Sequence, residues 1–118
     1  MKKIKYTLIA SLFFFSCKNN HLSINTMKVI VWDMACADEL FAQKMMKDSS
    51  VLQKKENIKL YEQVFLIHKI SKNQFYDNYK YYQLHPDQFK ILMDSVQAYG
   101  SRLRNSNTKI LPMYPSLN

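Results

Sequence analysis

Glycine is almost missing from this chain: one residue, Gly100, among 118. That excludes the glycine-rich loops that cradle phosphates, which need several positions free of a Cβ. With only three prolines beside it, the chain also has too few turn formers for an all-β fold. Two cysteines cannot build a disulfide framework, and no Cys-x-x-Cys pair is present. No hydrophobic run approaches the roughly 20 residues that a membrane-spanning helix requires; the longest, Tyr6 to Phe15, has ten.

What is present is apolar and basic. Hydrophobic residues make up 47% and aromatics 14%, ample for a packed core in one domain and too many for a disordered chain. The formal net charge is +8. Lys2, Lys3 and Lys5 precede Cys17, which leaves 14 of the 17 basic residues against nine acidic ones in the rest of the chain. That remaining excess is scattered and interleaved with acids, the pattern of a solvated surface, so no nucleic-acid partner is expected.

The first sixteen residues read as an address. A lysine-rich start, the ten-residue apolar run and a small residue, Ser16, describe a secretory signal peptide. Cys17 follows at once, and Phe14-Phe15-Ser16-Cys17 resembles the lipobox of bacterial lipoproteins, with Phe14 where leucine is usual. The resemblance implies a diacylglycerol thioether on Cys17 and cleavage before it. At about 0.8 kcal/mol per buried methylene, one acyl chain holds only marginally and two or more hold stably. A membrane reached through Cys17 is therefore an expected partner. Consumption of that sulfur leaves Cys36 unpaired, which favours its burial over pairing with another chain.

Beyond Cys17, residues 17–23 form a polar tether, residues 24–104 a helical domain and residues 105–118, with Pro112 and Pro115, an irregular tail. The expected fold is all-α, a compact bundle of three to four helices. The first helix spans about Asn25 to Lys47, with Met27, Ile30, Val31, Met34, Ala37, Phe41 and Met45 as one apolar stripe. Val29, Trp32, Cys36 and Leu40 make a second line on the opposite side, so this helix is either central or uses one face for a partner. The second helix begins at Val51 or Lys54 and ends near Lys69, with Ile58, Tyr61, Val64, Phe65 and His68 inward. Ser71 and Gln74 form a capping box that opens the third helix, about Lys72 to Leu84. Phe75, Tyr79 and Tyr82 share one of its faces. His85-Pro86 stops it, and Pro86 suits the first position of a fourth helix that ends near Arg104.

Helices two to four carry a further likeness. Val64 to Phe75, then Tyr81-Tyr82, then His85-Pro86 resemble a set of small Bacteroidota lipoproteins known as domain of unknown function 4296. Asp33-Met34-Ala35-Cys36-Ala37-Asp38 resembles that family's first-helix pattern, with Asp38 where glutamate is usual. The likeness covers roughly residues 24 to 103. It implies a helical lipoprotein of that phylum and no established activity. Position 18 is Lys rather than the Asp of inner-membrane retention, and no acidic cluster follows Cys17 as in surface-displayed lipoproteins of that phylum. Both point to the periplasmic face of the outer membrane.

Catalytic signals are sparse. His21, His68 and His85 share no metal-binding spacing with one another or with Cys36, and no serine carries a nucleophile signature. No enzyme, metal or cofactor is expected. Asp38 on the apolar stripe is the costly placement: it reaches solvent at the stripe's edge or takes a hydrogen bond, with Tyr61, Tyr79, Tyr82 and His68 as inward donors. Asp38, Tyr82 and His68 thus form the candidate polar site, and Trp32, Tyr76 and Tyr81 the candidate contact surface. The expected function is a non-catalytic accessory subunit of an envelope complex with a protein partner. The alternative is a small-ligand or lipid carrier with its Met- and aromatic-lined interior as the pocket.

Overall fold

Ser23 lies in extended backbone and its hydroxyl accepts the Thr26 N–H at 3.3 Å, so helix α1 starts at the next residue and runs Ile24–Lys47. The computed structural model describes residues 21–106. The expected signal peptide, Cys17 and most of the C-terminal tail lie outside them. Lys44 and Lys47 occupy the last turn of α1, where the helix dipole favours cations. Asp48 then accepts from both the N–H and the hydroxyl of Ser50, at 2.9 and 2.8 Å, and folds Ser49–Val51 into a 3₁₀ turn.

Helix α2 runs Glu56–Ile67, a start later than either sequence expectation. The reason is local: residues 52–55 are turn, and Lys55 adopts a left-handed conformation (φ 54°) with no side-chain cap. At its other end Lys69 is again left-handed (φ 53°). The N–H of Lys69 donates to the Leu66 carbonyl and that of Ile70 to the Phe65 carbonyl, the two bonds of a Schellman stop. Ser71 then caps α3, Lys72–Gln83, with both halves of the capping box formed: Gln74 N–H to Ser71 Oγ at 3.1 Å and Ser71 N–H to Gln74 Oε1 at 2.9 Å. Helix α4, Pro86–Asn105, begins on the proline at its first turn.

Cross-contacts give the directions. Asp33, Asp38 and Lys44, rising along α1, meet His68, Tyr61 and Glu56, falling along α2, so the two helices are antiparallel. Leu22, just ahead of α1, bonds Asn78 and Tyr82 of α3. The chain changes direction at residues 69–71, so α3 starts beside Phe65 of α2 and ends at the start of α1. Tyr79 packs edge-on to Phe89 across the α3–α4 corner. Trp32 of α1 lies against Gly100 of α4, so α4 returns parallel to α1. No strand occurs among the described residues, and the protein is an all-α bundle.

The core gathers Met27, Ile30, Ala37, Leu60, Val64, Phe65, Phe75, Tyr82, Leu92 and Val96. Two inward expectations are corrected. Ile58 is exposed and Leu60, two positions on, takes the inward place, because the edge of α2 that meets α1 runs through Leu60, Tyr61, Val64 and His68 and Ile58 lies to its side. Met45 is also exposed, with Met46 beside it at 89%, since α1 outruns its neighbours beyond the Lys44–Glu56 pair. The doubly apolar character of α1 has a simple cause: α2 and α4 both pack on it.

Candidate functional site

A polar ladder joins α1 to α2. Its innermost rung is Asp33, 6% exposed, whose Oδ2 lies 2.7 Å from Nε2 of His68. An ionised carboxylate can only accept, so that ring nitrogen carries the proton. Tyr61 donates its hydroxyl to Asp38 Oδ1 on the next rung. That hydrogen bond first, then burial, pushes the Tyr61 phenol up to about 12. Lys44 and Glu56 close the ladder at 3.3 Å.

The expected polar site is thus taken apart. Asp38 is exposed and bonds Tyr61; His68 bonds Asp33; Tyr82 donates at 2.6 Å to the Leu22 carbonyl, at the far end of the bundle. The buried acid is Asp33, five residues before the one singled out. Its spacing carried the signal: it stands three residues after Ile30 and four before Ala37, both fully buried. Asn78, also buried, had no such marker. It receives the Leu22 N–H on Oδ1 at 2.6 Å and donates Nδ2 to the Gln74 carbonyl at 2.7 Å.

An aspartate–histidine pair invites a search for a nucleophile. Cys36 stands one turn along α1 from Asp33, half-buried. Burial, then the negative charges of Asp33 and Glu39, push its thiol up to about 11. Reactive cysteines need the reverse, an electropositive setting that lowers the thiol. Cys36 lacks that setting. Among the described residues no three His, Cys, Asp or Glu side chains gather to hold a metal ion, and no helix is long and apolar enough to cross a membrane.

The expected contact residues also separate. Trp32 is half-buried in the α1–α4 seam, with the Arg104 guanidinium 5.5 Å from its ring centroid, and is no free surface. Tyr81 is sandwiched between His21 (3.7 Å between centroids, nearly parallel) and His85 (4.2 Å). Tyr76 alone stands open, beside a pocket of about 150 Å³ at the α2–α3 break. Ile58, Tyr61, Glu62 and Phe65 of α2 line it, with Lys72 and Tyr76 of α3. Phe65 and Phe75 pack edge-on to Tyr76 behind it, and Lys72 Nζ lies 6.0 Å from the Tyr76 ring centroid. The pocket is mostly apolar, with one cation and one carboxylate at its rim. Small-molecule sites commonly offer about 300–1,000 Å³, so this one has the size for a single side chain or a benzene-like group.

Fold and site together define a small all-α bundle with a polar spine, an aromatic pocket at a helix break and a docked N-terminal strand of chain. The chain belongs to the family described as Domain of unknown function (DUF4296), whose model matches residues 19–106. No curated protein and no solved structure matches it.

Proposed function

We propose that this protein is a lipid-anchored, non-catalytic interaction subunit of a bacterial cell-envelope complex, held by Cys17 at the periplasmic face of an outer membrane and engaging a protein partner through the α2–α3 pocket. The pocket is the observation that carries the reading. It is preformed, has aromatic walls, and is lined on α2 by Ile58 and on α3 by Tyr76, both exposed. A cavity of this size surrounded by solvent-facing apolar side chains suits one anchoring side chain of a partner, the arrangement of an interface hot spot. Lys72 and Glu62 at the rim supply polar neighbours that fix the approach. The lipobox-like Phe14 to Cys17, and separately the likeness of the helical domain to Bacteroidota lipoproteins, support the anchor. The carrier reading has less support, because about 150 Å³ is short of the space an acyl chain fills.

The test is a native pull-down from detergent-solubilised membranes of the producing cell, run in parallel with Tyr76→Asp and with Trp32→Phe as a control away from the pocket. A partner recovered with the wild type and the control, and lost with Tyr76→Asp, fulfils the proposal. A monodisperse monomer without a reproducible partner, or capture indifferent to Tyr76, rejects it.

A further inference from the structure

The chain ahead of α1 is pinned before it leaves the domain. Both backbone polar groups of Leu22 are taken by buried side chains of α3: its N–H by Asn78 and its carbonyl by Tyr82, each at 2.6 Å. Asn78 is itself oriented by its bond to the Gln74 carbonyl, so its oxygen has one direction to face. One residue earlier, His21 stacks on Tyr81, which also packs against the rings of His85 and Tyr82. The tether expected over residues 17–23 is therefore docked from His21 onward, and its slack is correspondingly shorter.

Four residues lie between Cys17 and the pinned Leu22, and the five steps that join them reach at most about 18 Å at full stretch. On the reading that Cys17 is acylated, the end of the bundle carrying Leu22 must stay within about that distance of the headgroups. That end consists of the start of α1, the last turn of α3 and the first of α4. Its most exposed large apolar side chain is Leu84, 69% exposed, at the α3–α4 corner. The amphipathic ring stack His21–Tyr81–His85 adjoins it, and Lys80 stands one turn before. Leucine with amphipathic rings and a snorkelling lysine is a composition the membrane interface accepts. Acidic Asp77 and Asp87 offset the lysine locally, so contact there depends on the apolar corner more than on lipid charge.

We infer that the α3–α4 corner is a lipid-facing foot, and that the Leu22 clamp holds it down so that the domain stands on the bilayer with α1 rising from it. The inference rests on the lipid-anchor reading and adds an orientation to it. Helix α1 rises about 1.5 Å per residue, so exposed Met46 marks the tip farthest from lipid, and the α2–α3 pocket faces sideways between foot and tip.

The experiment uses the full chain produced in its own cell, purified from membranes and reconstituted in phosphatidylcholine–phosphatidylglycerol vesicles. In a Cys36→Ser background a fluorophore is placed at Leu84→Cys or at Met46→Cys, and quenching by lipid-borne nitroxide is read. The expected result is quenching several-fold stronger at position 84 than at 46, falling toward the value at 46 when Tyr82→Phe and Asn78→Ala loosen the clamp. Circular dichroism confirms that the variants stay helical. Should the double variant unfold, Tyr82→Phe alone is compared. Equal quenching at the two positions in the acylated protein overturns the inference. Mass spectrometry of the residue 17 peptide separates the two failures: an unmodified thiol there sinks the anchor reading. The orientation is then decided by the same pair of reporters on protein coupled through Cys17 to a maleimide phospholipid.

Discussion

Helix α1 has two long seams that both bury apolar side chains and differ in the polar contacts set beside them. Toward α4 it presents Trp32 to a bare glycine backbone, with Leu92 and Val96 of α4 buried nearby in the core. Toward α2 it presents carboxylates and a lysine, met in order by an imidazole, a phenol and a carboxylate. The first seam removes apolar area from water without saying which turn should face which. The second gains little net energy per contact, since hydrogen bonds replace water bonds, yet it is selective. Sliding α2 one turn up α1 would bring Glu56 to Asp48, like charge against like, and leave Asp33 facing no partner. The apolar seam holds the bundle together, and the polar seam sets its register.

The sharpest way to break that comparison is at Gly100. A Cβ built there would fall on the six-membered ring of Trp32, 2.6 Å from Cε3 and nearer still to its neighbours. Alanine in a helix interior is otherwise favoured over glycine by about 1 kcal/mol. Overpacking commonly costs about 1–3 kcal/mol, and here a rigid indole must leave its seat. Gly100→Ala is expected to lose about 3 kcal/mol in urea unfolding despite the helix gain. Pairing it with Trp32→Leu should return a good part of the loss. Stabilisation by Gly100→Ala alone would mean that the two helices do not meet there.

The polar seam is tested next at His68. Its removal leaves Asp33 buried without its donor, and His68→Ala should cost about 2 kcal/mol, below the usual 3–5 for a broken buried pair because water reaches an edge of the imidazole and can enter the space it leaves. Asp33→Leu with His68→Leu should lie close to wild type in stability. If the comparison holds, that double variant also loses conformational uniqueness, seen as broadened amide resonances in α2.

Three of the four helices were legible within about a residue, the first from its apolar stripe and the other two because their starts carry chemistry: the Ser71–Gln74 box and Pro86 at a first turn. The start of α2 was not, since Lys55 turns the chain in a left-handed conformation that no residue type announces. The site was less legible than the fold. Asp38 stood out on the apolar stripe, while Asp33, though spaced with the buried Ile30 and Ala37, finds its partner in His68, 35 positions away. Gly100 read as an isolated glycine because its meaning lies in Trp32 on another helix. The Leu22 clamp is made of backbone groups, which are identical in every sequence except at proline; only the burial of Asn78 and Tyr82 gives it away.

A smaller effect sharpens the ladder from the alkaline side. Tyr61 is protonated in the fold to about pH 12 rather than its ordinary 10, and Cys36 to about 11 rather than 9. Groups whose folded values are raised bind protons more tightly in the native state, so their contribution is whole below the unfolded value and fades above it. The melting temperature should therefore fall as pH rises from about 9 to about 12. Tyr61→Phe should flatten the upper part of that fall and Cys36→Ser the lower. A wild-type profile that is flat through this window would show that the phenol does not donate to Asp38 in solution.

The smallest effect expected lies at the acid end, where the ladder opens to water. Lys59 and Lys44 hydrogen-bond the Glu56 carboxylate and hold it below its ordinary range, and the Ser50 hydroxyl and N–H do the same for Asp48. Depressed carboxylates stabilise above their unfolded values and lose that contribution as pH falls through the folded ones, so the loss begins below about pH 4.5. Asp48 is exposed and Glu56 is partly open to water, where ion pairs contribute little and salt screens them. The fall in melting temperature between pH 4.5 and 2 should consequently shrink in 1 M salt. Glu56→Gln and Asp48→Asn should each blunt it only slightly, by far less than His68→Ala lowers the whole curve. The upper rung of the ladder is the one solvent can replace, and an acid sensitivity in these two variants as large as that of His68→Ala would place the register-setting contact at the wrong end of the seam.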